Sequence, residues 1–490
     1  MKKMSLAFVI SSFFFFGVFF HYSTIAAPNR ITSSSWSLSK ELKPPLTSST
    51  QYFSHQQAIT APFMYIDPYS SKFIDYSGAF QASRRSVSQT TFLFSTTKPA
   101  SSGGGAFRPR QVPSLTAEQR QQIHKEIDHN VQRLGLQRSK NVTNQSLPTL
   151  SWPVQPANGV NDYGYYGISA FVDHNPAYPN KVQDYNCGSR SYDLSSGYNH
   201  AGTDIFPWPF SWQKMDNDQV EVIAAASGTI VFKQDGKFDR NCWISPEPWN
   251  AIYIQHADGS VAWYGHLKKG SVTSKPVGAT VAQGEYLGVI GSSGNSTGPH
   301  LHFELYDAQN KLIDPYLGPC NSDIDNSLWD VQKPYYDSAI NKLTTGDAPA
   351  EFPTCPLTEE PHEQDQFSQG DLVYFTAYYR DQLSGQQAQY TVYEPNGAIY
   401  QRWFHSSTET FTAYSNWWWS YIIPAEAPGG TWTFEVVFEE KTYEHEFSIA
   451  DLPSPEPTET SEPTNTPEPT ETPEPAEPST FIYLPIIFGD

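Results

Sequence analysis

The chain has 490 residues, a formal net charge of -20, 17% charged residues and 15% aromatic residues. This length predicts more than one domain. The acidic excess excludes nucleic acid as a partner, because phosphate binding requires clustered Lys and Arg, and it argues against charge-driven adsorption to an anionic membrane.

The N-terminus has the pattern of a secretory signal peptide over residues 1–27. Lys2 and Lys3 precede an apolar run that ends at Phe20, and small residues follow at Ala26 and Ala27. The alternative is a permanent membrane anchor, but the run is short for a span of about 20 residues. We therefore expect cleavage, no transmembrane span in the mature chain, and a secreted or cell-envelope location.

Residues 28–149 form a Ser/Thr/Gln-rich N-terminal region, expected to be extended apart from one amphipathic helix over residues 116–134. Thr116 and Gln119 match a capping box. Apolar residues then recur at helical spacing: Ile123, Ile127, Val131 and Leu134. Two interpretations stay open, a small packing helix or the latency helix of a pro-segment.

Residues 150–320 contain short apolar runs separated by Gly and Pro turns, which is typical of an antiparallel β-sheet domain. Asp258-Gly259 lies between two of these runs and predicts a hairpin. Residues 321–365 are predicted to be a connector with some helix near residues 335–343. Alternating runs over residues 366–450 predict a β-sandwich accessory domain, so the fold class is mainly β.

The C-terminal end is predicted to be a stalk. Residues 451–480 form a linker that repeats Pro, Glu and Thr, which disfavours a packed core and predicts disorder. The apolar tail, residues 481–490, is too short to cross a bilayer as a helix. Surface association through this stalk is one hypothesis. A second concerns Trp417-Trp418-Trp419, which cannot all face one core and therefore pack between domains or bind carbohydrate.

Four cysteines in an exported chain predict two disulfides: Cys187, Cys242, Cys320 and Cys355. Sequence allows three pairings, and proximity along the chain favours Cys187–Cys242 with Cys320–Cys355. A cysteine-ligated zinc is disfavoured because no C-x-x-C spacing occurs.

Three short motifs in residues 150–320 combine histidines with a carboxylate. His200 and Asp204 form H-x-x-x-D, His300 and His302 form H-x-H, and His266 lies between them. Residues two apart in a strand share a face, so His300 and His302 are predicted to point the same way. Three protein ligands with an open fourth position are typical of a catalytic zinc site. The ordered set predicts metal-assisted hydrolysis.

These motifs and their flanking residues resemble the lysostaphin-type (LytM-type) zinc metalloendopeptidases, which cut peptide cross-links in bacterial peptidoglycan. The likeness covers residues 198–318. It includes the segments Ile254-Gln255-His256-Ala257-Asp258-Gly259, Tyr264-Gly265-His266-Leu267 and Gly298-Pro299-His300-Leu301-His302-Phe303-Glu304.

The resemblance implies a site with one zinc ion. Its ligands would be His200, Asp204 and His302. His300 would act as general base, and His266 together with zinc would stabilise the oxyanion. His256 also matches a common family position, and we expect it to be structural.

Two segments depart from the family pattern, an aromatic insertion at residues 205–212 and a loop between residues 231 and 251. Trp208 and Trp243 in these segments, together with Tyr264, are predicted to contact the substrate. The alternative is that the tryptophans fill a satellite core.

The resemblance thus implies a secreted zinc metalloendopeptidase that hydrolyses peptidoglycan stem peptides or cross-bridges through a zinc-activated water. The alternative is a non-catalytic or weakly active cell-wall-binding or scaffold protein of the same fold.

Overall fold

The computed structural model describes residues 98–107, 111–136, 147–245 and 247–451. The predicted signal peptide, most of the N-terminal region, nearly all of the stalk and the apolar tail lie outside the described residues. All described residues belong to one unit of the chain, residues 89–490. In this part of the chain no helix is both long and apolar enough to cross a membrane.

The described residues are mainly β structure, as the sequence predicts. The elements in chain order are β1 (Ser101–Phe107), α1 (Ala117–Arg133), β2 (Val154–Pro156), β3 (Tyr166–Ala170), β4 (Thr203–Pro207), α2 (Ser211–Asp216), β5 (Val220–Ile223), β6 (Gly228–Gln234), β7 (Ala251–Gln255), β8 (Val261–Gly265), β9 (Thr280–Val281), β10 (Tyr286–Val289), β11 (Leu301–Tyr306), β12 (Leu312–Ile313), β13 (Ala339–Gly346), β14 (Gln366–Phe367), β15 (Leu372–Leu383), β16 (Gln387–Tyr393), β17 (Ile399–Ser406), β18 (Phe411–Ile422), β19 (Gly430–Phe438) and β20 (Lys441–Ile449).

The central domain, residues 150–320, packs a large antiparallel sheet against a small one. The large sheet has the order β3-β4-β11-β8-β7-β6-β9, with β12 beside β11, and the small sheet has the order β10-β5-β2. Alternate residues of β11, namely Leu301, Phe303 and Leu305, enter the core. The residues between them lie on the opposite face because successive strand residues alternate. We call that opposite face, which carries His302, the site face.

Helix α1 covers part of the site face. Its N-cap Thr116 and Gln119 form the capping box that the sequence predicts. Ile123, Ile127 and Val131 are buried in a cluster with aromatic residues of β7, β8 and β11. The apolar side of the helix is therefore satisfied by the sheet rather than by another helix.

The C-terminal domain is a β-sandwich of two sheets around one core. One sheet has the order β1-β18-β15-β13, and the other has the order β14-β20-β19-β16-β17. Trp419 faces this core, with Trp417 packed against it, whereas Trp418 lies on the other face, as strand alternation requires. Strand β1 comes from the Ser/Thr/Gln-rich N-terminal region, which the sequence predicts to be extended, and it pairs with β18 over this Trp run.

The predicted helix near residues 335–343 is wrong, because residues 339–346 form β13. This strand pairs with β15, and nearly all of its residues are buried. Ile340 and Leu343 face the sandwich core, while Asn341 donates hydrogen bonds to Tyr166 and Trp208 carbonyl oxygens of the central domain. Burial on both faces removes the alternation that marks a strand in sequence.

The favoured disulfide pairing is also wrong. The bonds join Cys187 to Cys320 and Cys242 to Cys355. The first closes two loops of the central domain, and the second ties the β6–β7 loop to the connector. Proximity along the chain did not predict the pairing, because tertiary packing brings distant loops together.

Candidate metal centre

Strands β4 and β11 are neighbours and bring the two histidine motifs together. Asp204 lies directly opposite His302 in their register, and Asp204 Oδ1 is 2.7 Å from His302 Nδ1. His200 Nε2 is 3.0 Å from Asp204 Oδ2. One ligand atom from each of the three residues lies within 4.8 Å of the others. A single ion can therefore contact all three buried side chains.

Gly202, between the two residues of the first motif, leaves room for His302. A Cβ atom at residue 202 would lie 2.8 Å from both Cε1 and Nε2 of the His302 ring and 2.7 Å from the Phe303 carbonyl oxygen. Gly202 does not have a positive φ, so its backbone conformation does not require glycine. Its role is close approach of the neighbouring strand.

Three histidines of the site are held in one tautomer by backbone carbonyl groups. His200 Nδ1 donates to Phe171 O at 2.7 Å, His266 Nδ1 to Ser293 O at 2.6 Å, and His300 Nδ1 to Gly298 O at 2.9 Å. A carbonyl oxygen can only accept, so the proton of each neutral ring is on Nδ1. Each Nε2 keeps its lone pair for a metal or a proton.

His266 and His300 lie beside the three-residue set. Their ring centroids are 4.4 Å apart, and His300 Nε2 is 3.7 Å from Asp204 Oδ1. The backbone of His266 has a φ of 62°, which is uncommon for a residue with a side chain. Such strain persists where the surrounding structure fixes a side chain, and it is frequent at functional sites.

The electrostatic environment separates these groups into charged and neutral ones. Burial alone would raise the pKa of Asp204, but His200, His300 and His302 hold it well below its ordinary value. Burial lowers the pKa of His266 well below its ordinary value and also lowers the pKa of His300. Burial would lower the pKa of His302 too, but Asp204 and Glu304 raise it to about 9.

The donor set fits a zinc ion. Among the described residues, the buried Nε2 of His266 has no hydrogen-bond partner, and the buried Nε2 of His200 faces Asp204 Oδ2 at 3.0 Å without making a hydrogen bond. A buried polar atom without a partner is costly unless a ligand supplies one. One carboxylate and two imidazoles are ligands that zinc accepts, and they leave a fourth position for solvent.

Trp249 belongs to the loop between residues 231 and 251, which was predicted to border the cleft, but its contact with the site histidines was not predicted. Its indole ring meets His266 edge-on, with ring centroids 4.9 Å apart, and lies 5.8 Å from the ring of His302. Trp249 is 1% exposed and donates a hydrogen bond to Tyr253 Oη at 2.7 Å. The loop composition gave no signal that this tryptophan, rather than Trp243, forms a wall of the site.

Sequence reasoning also gave no role to Ser114, which precedes α1, or to Glu304. Ser114 Oγ lies 3.3 Å from His302 Nδ1, and Glu304 Oε1 lies 2.6 Å from His302 Nε2. The carboxylate of Glu304 is in turn paired with Arg120 of α1. Burial would raise the pKa of Glu304, but Arg120 and His302 hold it well below its ordinary value.

The three predicted substrate-contacting residues have different environments. Tyr264 is in the core at 0% exposure, and its hydroxyl accepts a hydrogen bond from Ala225 N, so it cannot contact a substrate. Trp208 is 2% exposed and belongs to a satellite aromatic cluster. Trp243 is 61% exposed. His256 is buried at a strand end, where Nδ1 donates to Ser227 O at 2.9 Å.

Comparison with known proteins identifies the family. Residues 199–315 match Peptidase family M23. The matched segment contains all three members of the ligand set and both neighbouring histidines. The chain contains an M23 peptidase domain.

The M23 domain is similar to parts of bacterial endopeptidases. The chain is 42% identical over 84 residues to the DD-carboxypeptidase/endopeptidase Mpg of Neisseria meningitidis, covering 17% of this chain and 16% of that protein. It is 40% identical over 56 residues to the peptidoglycan DD-endopeptidase ShyC of Vibrio cholerae, covering 11% of this chain and 12% of that protein. The matches thus span well under a fifth of either relative.

Among solved structures, the catalytic domain of the antimicrobial peptidase lysostaphin from Staphylococcus simulans is 28% identical. The alignment covers 26% of this chain and 83% of that chain, with a TM-score of 0.19.

A cleft of about 540 Å³ adjoins the candidate metal centre. Asp204, His300 and Trp243 line it, together with an aromatic wall. The wall combines residues from four parts of the chain: Phe107 of β1, Trp208 of the M23 domain, Phe352 of the connector and Tyr414 of β18. Elements outside the family match therefore shape this cleft.

Proposed function

We propose that this chain is an exported zinc metalloendopeptidase that hydrolyses peptide bonds in peptidoglycan stem peptides or cross-bridges. The observation that carries the proposal is the buried His200, Asp204 and His302 set, whose ligand atoms lie within 4.8 Å of one another. The M23 family match and the endopeptidase activities for which its relatives are named support the same chemistry.

The residues of the site fall into two groups, one that would hold an ion and one that would transfer protons. His200, Asp204 and His302 would hold one zinc ion. When bound, zinc supplies Lewis acidity that brings the pKa of a coordinated water from about 16 toward about 7. His266 and His300 lie next to this set and keep unprotonated Nε2 atoms. They are therefore suited to accept a proton from the attacking water as general bases.

The tautomer of His266 modifies the role that the family resemblance implies. A neutral His266 with its proton on Nδ1 has no donor at Nε2 and cannot stabilise an oxyanion by a hydrogen bond. It gains that capacity only after taking up a proton. The His266–His300 pair would thus accept one proton from the attacking water. The protonated ring can then donate a hydrogen bond to the oxyanion and finally pass the proton to the leaving amine.

Substrate binding is assigned to the cleft lined by Asp204, His300, Trp243 and the aromatic wall. Trp243 is the exposed aromatic residue at its rim, on the loop tied down by Cys242–Cys355. A rigid loop can present an indole ring at low entropic cost. Trp243→Ala should raise KM more than it lowers kcat, and Trp243→Phe should recover part of the loss.

The predicted signal peptide supports export, and the Pro/Glu/Thr stalk supports retention at the cell envelope. Both segments lie outside the described residues. Mass spectrometry of the mature N-terminus from culture supernatant and envelope fractions tests the two parts of this proposal separately.

The hydrolase proposal is tested with purified full-length mature protein and isolated peptidoglycan. We expect one zinc per chain, release of new peptide termini identified by mass spectrometry, and loss of release on chelation or in His302→Ala. His300→Ala and His266→Ala should each lower the rate by about 10²–10⁴-fold. His256→Ala is the matched control and should stay active. Hydrolysis that persists in His302→Ala, or a site that binds no zinc, would favour the scaffold alternative.

A further inference from the structure

Helix α1 lies outside the M23 match, yet it contacts the ligand set through one buried carboxylate. Glu304 is 1% exposed on the site face, two residues after His302 in β11. Its Oε1 lies 2.6 Å from His302 Nε2. The other ring nitrogen, Nδ1, faces Asp204. One side of the imidazole therefore meets the proposed ion ligands, and the other side meets Glu304.

Glu304 is itself fixed by three donors. Arg120 Nη2 donates to Oε1 at 2.9 Å, and Arg120 Nη1 donates to Oε2. The Tyr306 hydroxyl donates to Oε2 at 2.6 Å. The paired guanidinium contacts are the planar, two-point geometry that arginine makes with carboxylates. With His302 as a further donor, the carboxylate has little freedom to rotate.

Arg120 reaches this position from the first turns of α1, which are 184 residues away in sequence. Its guanidinium lies 5.7 Å from the centre of the Trp263 ring, and its side chain is 21% exposed. The helix is anchored by Ile123 and Ile127 in the cluster on the site face. The packing of the helix against the sheet thus places the Arg120 side chain next to Glu304.

We propose that Arg120 and Glu304 are positioning residues for the metal centre. Arg120 fixes the carboxylate of Glu304, and Glu304 in turn orients His302 so that its Nδ1 faces the ion. This inference rests on the proposed zinc site. It makes α1 a constituent of the functional site rather than a removable latency element. Groups that orient a ligating histidine typically change metal affinity by about 10–100-fold when they are altered.

The test compares zinc affinity in full-length mature variants by competition with a chromophoric chelator. We expect Arg120→Ala to weaken zinc binding by about 10–100-fold. Arg120→Lys should recover only part of this, because it keeps the charge but loses the two-point contact. Arg133→Ala is the matched control, since Arg133 is exposed on the same helix and its guanidinium donates to the neighbouring Asn130; it should bind zinc like the wild type.

Two further measurements separate positioning from a merely structural role. Cobalt(II) absorption spectra report ligand geometry and should differ between Arg120→Ala and Arg133→Ala. If Arg120→Ala fails to fold, Glu304→Gln takes its place, because it keeps the shape of the side chain and removes the charge; we expect the same loss of affinity.

Unchanged zinc affinity and an unchanged cobalt spectrum in a folded Arg120→Ala or Glu304→Gln protein would overturn the inference. So would tighter zinc binding in Arg120→Ala, which a latency role predicts. Failure of the proposed function is distinct from both, because it would appear as absence of zinc binding in the wild type.

Discussion

The indole ring of Trp249 stands edge-on against the imidazole of His266, with ring centroids 4.9 Å apart. Trp249 belongs to none of the histidine motifs. Two glycines leave room for its side chain. A Cβ at Gly294 would lie 2.8 Å from Trp249 Cβ, and a Cβ at Gly265 would overlap the indole ring. Trp249 therefore packs directly against the side chain of His266, a residue with a φ of 62°.

Truncation of the Trp249 side chain should lower both stability and activity. We expect Trp249→Ala to lower the free energy of unfolding by about 3–5 kcal/mol, because it leaves a cavity in a packed interior. It should also lower kcat, whereas Trp249→Phe should retain most of both. Urea unfolding and peptidoglycan turnover measure the two effects. Trp243→Ala is the control for stability, since Trp243 is exposed; an equal loss of stability there would contradict the assignment.

A buried ion pair joins the central domain to the sandwich. Arg190 Nη2 lies 2.8 Å from Asp381 Oδ1, and the two side chains are 4% and 3% exposed. Removing one partner leaves a buried charge without compensation. We expect Arg190→Ala to lower the free energy of unfolding by about 3–5 kcal/mol, measured by urea titration. Adding Asp381→Ala should restore part of the loss. A cost below about 1 kcal/mol would be the value of an exposed pair and would contradict this burial.

Strand β1 depends on a glycine where it crosses the Trp run. Gly104 has a φ of 124°, and a Cβ there would overlap the Asn416 carbonyl oxygen of β18. We expect Gly104→Ala to weaken the β1–β18 pairing by about 1–3 kcal/mol, seen as faster amide exchange across residues 101–107. Gly105→Ala is the matched control, because no atom lies within 4 Å of its added Cβ. Equal exchange in the two variants would rule out this requirement.

Acid should destabilise the protein through His256. Burial lowers the pKa of His256 below its ordinary value. Between that lowered pKa and the ordinary value near 6.5, the unfolded chain binds a proton that the folded chain does not. Stability therefore falls as pH falls through this window, by at most about 1.36 kcal/mol per pH unit for this group.

The measurement for this prediction is urea unfolding between pH 5 and pH 8, approximate limits that bracket the titration range of histidine. His256→Gln should have a shallower dependence of unfolding free energy on pH than the wild type. His129→Gln, on the exposed face of α1, should match the wild type. An identical slope in His256→Gln would show that another group carries the acid sensitivity.

Local sequence signals were sufficient for several features of this protein. The mainly β fold, the Thr116–Gln119 capping box and the M23 family could all be predicted from the residues. Each depends on neighbours in sequence: capping needs residues three apart, and strands need alternation. The H-x-H motif predicted the shared face of His300 and His302 for the same reason.

Contacts between distant segments were decided only by the tertiary structure. The disulfide partners, the two-sided burial of β13, and the positions of Trp249 and Arg120 depend on which surfaces pack together. Arg120 and Glu304 are 184 positions apart, and no local pattern relates them. Spacing and periodicity encode the local geometry of a strand or helix, whereas the partner of a buried charge or ring is set by how the completed elements pack.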